Sequence, residues 1–120
     1  MPPRIYDYDI TPGQNQLFGP YTINDNVSSP TTLVTIGQIS NANFNQLQYS
    51  INRGGIEQTG RLLIVTNGSA VSLTDDNASV PSSTGVSFFA TISGSTIVLQ
   101  YTSTSTGLTG AFKYYITSWS

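Results

Sequence analysis

The sequence predicts an all-β fold: an antiparallel β-sandwich or jelly roll of about seven to eight strands with an extended N-terminal arm. Three observations predict it. Apolar residues recur at every second position through most of residues 31–120, the period of a pleated strand with one buried face. Turn signals built on Gly, Asn and Ser interrupt that alternation at short intervals, as in sandwiches and jelly rolls. The polar positions are hydroxyls and amides: Ser, Thr, Asn and Gln make up 48 of the 120 residues. Thr suits a pleated surface because its branched side chain is already restricted at χ1. No helical period competes, and no internal repeat is evident.

The elements follow in order. Residues 1–30, "MPPRIYDYDITPGQNQLFGPYTINDNVSSP", hold five of the six prolines and three of the six acids. Tyr6–Ile10 is a short alternation; Pro12-Gly13, Gly19-Pro20 and Pro30 then break the segment into turns and extended pieces. It reads as an arm, set apart from a body at 31–120. Its large apolar residues, Ile5, Tyr6, Tyr8, Ile10, Leu17, Phe18 and Tyr21, need a surface to cover them. A neighbouring subunit is one candidate, and the chain's own sheet is the other.

In the body, Leu33–Ile39 is a β-branched run, and Leu47, Tyr49 and Ile51 alternate with polar residues up to a turn at Arg53-Gly54-Gly55. Arg61–Thr66 is nearly continuous apolar, which predicts a central strand covered on both faces. Asn67-Gly68 predicts a two-residue hairpin. Val71 and Leu73 come next, followed by a polar stretch, Asp75–Gly85, expected as a loop. Val86, Phe88, Ala90 and Ile92 form a strand that turns at Ser93-Gly94-Ser95 and returns through Ile97, Leu99 and Tyr101. Phe112, Tyr114 and Ile116 form the last strand, with Trp119 near its end.

Composition excludes several function classes. The chain has no Cys and no His, so it offers no disulfide framework, no thiolate zinc site and no histidine base. Charged residues are 8% of the chain, against roughly 25% in an average soluble domain. Four scattered cations cannot track a phosphate backbone, so nucleic acid is not an expected partner. No apolar run approaches the roughly 18 residues of a membrane span, so no membrane is expected either. Met1-Pro2-Pro3-Arg4 leads into tyrosines and aspartates, not an apolar signal segment, and a protein kept inside the cell or released by lysis is expected. An uncharged Ser/Thr surface can meet its own copy without desolvating charge, so the composition favours a larger assembly.

The candidate chemistry is sparse. Asp75-Asp76-Asn77 is the densest oxygen cluster, but adjacent residues diverge and an Asx turn is the simpler reading. Asp7 and Asp9 would lie about 7 Å apart on one strand face, on an arm too interrupted to hold a catalytic pair. A single Arg53-Gly54-Gly55 reads as a turn rather than an RNA-binding repeat. The Asn-x-Ser sites at Asn26, Asn67 and Asn77 are what a chain this rich in Asn and Ser throws up by chance. Lys113, the only lysine, reads as a solvated outer residue. Tyr49, Phe88, Tyr101, Tyr114 and Trp119 could make a sugar platform, but at period two they read as core. No metal, cofactor or enzymatic activity is expected.

One ordered set of segments carries a resemblance: "YSINRGG" at 49–55, "GRLLIVTNGSAVSLTDD" at 60–76, "TGVSFFA" at 84–90, "VLQYTSTSTG" at 98–107 and "FKYYITSW" at 112–119. Over about three quarters of the chain it resembles β-sandwich modules of tailed-bacteriophage virion proteins, both tail-fibre and capsid-associated. The resemblance implies a homotrimer on the virion surface. The single arm, without a repetitive shaft, is more similar to capsid cement (decoration) proteins. That implies a non-enzymatic structural protein of the head, made in the host cytoplasm and carried on the capsid exterior. It would staple neighbouring subunits of the major capsid protein through Ile5, Tyr6, Tyr8, Ile10, Leu17, Phe18 and Tyr21. The alternative is a receptor-binding or tail-fibre tip module that recognises host surface carbohydrate.

Overall fold

The computed structural model describes residues 16–120. They form eight strands: β1 (Phe18–Ile23), β2 (Thr31–Gln38), β3 (Phe44–Arg53), β4 (Ile56–Thr66), β5 (Val71–Val80), β6 (Val86–Ser93), β7 (Thr96–Ser103) and β8 (Gly110–Trp119). All pairings are antiparallel. A large sheet runs β1-β8-β3-β4-β5 and a small sheet runs β2-β7-β6. The fold is an all-β sandwich.

Period-two alternation decides which side chains meet between the sheets. Leu47, Tyr49 and Ile51 of β3 point inward with Leu62 and Ile64 of β4 and Phe112 and Tyr114 of β8. Phe88 of β6 and Ile97, Leu99 and Tyr101 of β7 face them from the small sheet. Tyr49, Phe88 and Phe112 pack as an aromatic trio with ring centroids 5.1–5.7 Å apart. Each such side chain contributes about 1.5–3 kcal/mol when removed from water.

Several expectations are corrected. Arg61–Thr66 is not covered on both faces: Leu62 and Ile64 are buried, but Leu63 and Val65 are each 45% exposed. A continuous apolar run reads as doubly covered; here its second face is left open. The β4–β5 connection is not a two-residue hairpin. Asn67–Ala70 form it, with Asn67 Oδ1 accepting the Ser69 and Ala70 amides at 3.0 and 2.9 Å. Asp75–Val80 is strand rather than loop, because β5 keeps pairing with β4 as far as Glu57↔Val80. Trp119 is not core; it is 48% exposed at the end of β8.

The segment set apart at 1–30 meets the sandwich within its own length. β1 pairs with β8, and its last residue, Ile23, is fully buried. Gly19 has φ 109°, and a Cβ there would stand 2.6 Å from the Phe112 carbonyl oxygen. Only glycine admits that approach of β1 to β8.

Candidate interaction surface

Two polar systems inside the sandwich draw in Arg53, Asp25 and Asp75. Arg53, read from the sequence as part of a turn, is 1% exposed. Its Nε donates to the Leu108 carbonyl at 3.0 Å, its Nη1 to the Thr84 carbonyl at 2.8 Å, and its Nη2 to the Thr104 carbonyl and to Asp25 Oδ1, both at 2.7 Å. Asp25 also accepts the Thr106 and Gly107 amides at 2.8 and 3.1 Å. The Thr106 amide above all, with the Gly107 amide and the Arg53 guanidinium, holds the Asp25 carboxyl below its ordinary value against a smaller cost of burial. One guanidinium thereby ties the β1–β2, β5–β6 and β7–β8 connections together.

The second system is a chain through the core. Thr84 donates its hydroxyl to Gln58 Oε1. Gln58 Nε2 donates to the Tyr49 hydroxyl at 2.8 Å, and that hydroxyl donates to Asp75 Oδ1 at 2.8 Å. Burial pushes the Tyr49 phenol well above its ordinary value. Asp76, next in sequence, points the other way and lies 3.7 Å from Arg61. The acidic pair therefore diverges across the strand, and no three acidic side chains gather among the described residues.

The sequence signal for both systems was parity. Arg53 continues the inward set Leu47, Tyr49, Ile51, and Asp75 continues Val71, Leu73. Turn and loop signals at the same positions masked it.

Of the arm residues expected to bind a partner, Ile5, Tyr6, Tyr8 and Ile10 lie outside the described residues. Phe18 and Tyr21 stack on Tyr114 at 5.1 and 6.0 Å. Burial first, and then Tyr21, push the Tyr114 phenol up to about 12. Leu17 is exposed and borders a shallow depression with Gln48, Lys113 and Tyr115. Lys113 is exposed, as expected.

The feature that sequence reading missed is the outer face of the large sheet. Register sets it out in rows across β8, β3, β4 and β5. The first row is Trp119–Phe44–Val65–Ser72, and the second is Thr117–Gln46–Leu63–Thr74. The third, Tyr115–Gln48–Arg61–Asp76, brings the first charges. Phe44 and Trp119 stack at 5.7 Å and wall a cleft of about 210 Å³ with Leu63, Val65, Ser72 and Thr74. By contrast, the three strands of the small sheet contain no charged residue at all.

No protein-family model matches this chain, and no curated protein matches it. Among solved structures, the crystal structure of the Acinetobacter phage vB_ApiP_P1 tailspike protein is similar over 86% of this chain, with a TM-score of 0.55 and 16% identity. The chain spans 21% of the length of that protein. At that identity the likeness is one of fold.

Proposed function

We propose that this chain is a non-enzymatic β-sandwich module of a tailed-phage virion, carried on the tail in the manner of a fibre or spike domain. The observation that carries this reading is the fold shared with one segment of a phage tailspike over most of the chain. The ordered sequence resemblance to virion modules points to the same class of particle. The chemistry agrees with a structural and adhesive role. The chain has no His and no Cys, and its buried ionic groups are spent on tying loops and strands together. Self-association as a homotrimer belongs to this proposal, as does host surface carbohydrate as the target of a tip module.

The capsid-decoration reading, with the major capsid protein as partner and the capsid exterior as its place, is the other outcome of the same experiment. Purified particles are labelled with antibody against this chain and imaged. Label at the tail is the expected result. Label over the heads overturns tail placement in favour of capsid decoration, and particles free of label overturn the virion assignment altogether.

A further inference from the structure

We infer that the outer face of the large sheet, centred on Phe44, Leu63, Val65 and Trp119, is the surface through which this chain packs against further copies of itself. The inference deepens the self-association proposed above, and relies on that reading only for its setting on a virion.

The first argument is distribution. Among the described residues, every large hydrophobic side chain that is exposed lies on this side of the sandwich, except Phe89 and Leu108. Scattered exposed apolar residues are ordinary, but a contiguous patch marks an interaction site. This patch is contiguous by register, since Trp119, Phe44 and Val65 occupy adjacent strands in one row and Leu63 fills the next.

The second argument is order. Phe44 and Trp119 are already stacked on each other, and all four side chains rise from the paired strands β3, β4 and β8. Little rotamer freedom remains to be lost on docking, which is the cost that usually erodes interface energy. Buried aromatic anchors are the groups that carry most binding energy.

The third argument selects the partner. The rows carry Arg61 and Lys113 against Asp76 and Glu57, so the face has no net charge, and its first two rows have no charge at all. It presents no field to a strongly charged polymer. It can pack against further copies around a threefold axis, because nothing of like sign opposes itself where the apolar rows touch. Size fits as well. The four strands of the rows, at about 4.8 Å spacing and with about ten residues at about 3.3 Å rise, span roughly 600 Å², the same order as the roughly 800 Å² per partner of a stable interface.

The test uses the full chain in solution, by sedimentation velocity across a concentration series. The parent protein is expected to associate. Leu63→Lys with Trp119→Lys is expected to weaken association by about a hundredfold or more, with an unchanged β-type circular dichroism spectrum. Leu63→Ser with Val65→Ser, a milder pair at exposed sites, is expected to weaken it in the same direction. Phe89→Lys, on the outer face of the small sheet, is expected to leave it intact. A parent that stays monomeric at every concentration overturns the inference. So does an assembly that survives both paired variants, or one that Phe89→Lys breaks. None of these outcomes depends on where the protein sits on a particle, so the inference and the virion reading can fail separately.

Discussion

At the scale of the residue, the fold turns on one buried cation. Arg53 satisfies three loop carbonyls and one carboxylate; without it the Thr84 and Leu108 carbonyls lose their donor and the Asp25 carboxylate loses its counter-charge. Arg53→Met is expected to cost about 3–5 kcal/mol, read as a lower urea midpoint with unchanged slope. Arg53→Lys is expected to recover only part of the loss, because an ammonium cannot reproduce the planar fork. The same site gives a pH dependence. Asp25 has a folded pKa below its ordinary 3.8, so its contribution is complete above that value and is lost as pH falls through the folded one. Thermal melts below about pH 4 should therefore decline less steeply in Asp25→Asn than in the parent, from a lower starting stability. Tyr114 works in the opposite sense. Its phenol is raised from 10.0 to about 12, so the stability it contributes is lost between those values as pH rises, and Tyr114→Phe should flatten that alkaline decline.

At the scale of the element, legibility followed whether one signal or two acted on a position. β3, β6, β7 and β8 were readable because alternation and flanking turns agreed, as at Ser93-Gly94-Ser95, where Gly94 has φ 61°. β5 was not, because Asp75, Asp76 and Asn77 carry loop chemistry while their backbones continue the ladder with β4; tertiary pairing overrode local preference. β1 was hidden by Gly19-Pro20, which breaks a strand pattern in sequence but lies in a strand whose register with β8 shifts there. The open face on β4 was hidden because an apolar run does not say which of its faces is covered. The boundary at residue 30 now yields a prediction. Removing residues 1–30 takes away Ile23 and Asp25, and should abolish the cooperative melt. Removing residues 1–15 should leave that melt in place. A second prediction concerns Gly60, where a Cβ would lie 2.6 Å from the Asp76 carbonyl oxygen and 2.7 Å from Asn77 Cβ. Gly60→Ala should force β4 and β5 apart at a cost of about 1–3 kcal/mol, measured by denaturant unfolding.

At the scale of the whole molecule, the two sheets divide the charge. Among the described residues, every charged residue within a strand belongs to the large sheet, while the small sheet presents hydroxyls and amides beside a single exposed Phe89. Two mechanisms could drive association of such a body, and they differ in their response to salt. If pairs such as Arg61 and Asp76 drove it, screening would weaken it, since the Debye length shrinks from about 30 Å at 0.01 M to about 3 Å at 1 M. Arg61 and Asp76 are 55% and 72% exposed and 3.7 Å apart, a geometry that contributes little in water. The charge-free rows Trp119–Phe44–Val65 and Gln46–Leu63 predict the other behaviour. The association constant should stay level or rise across that salt range, and the heat capacity change on association should be negative, the mark of apolar burial. Titration calorimetry by dilution at several temperatures measures both quantities. A constant that falls steeply with salt would assign the contact to charge pairs, and would move the docking surface away from Phe44 and Trp119.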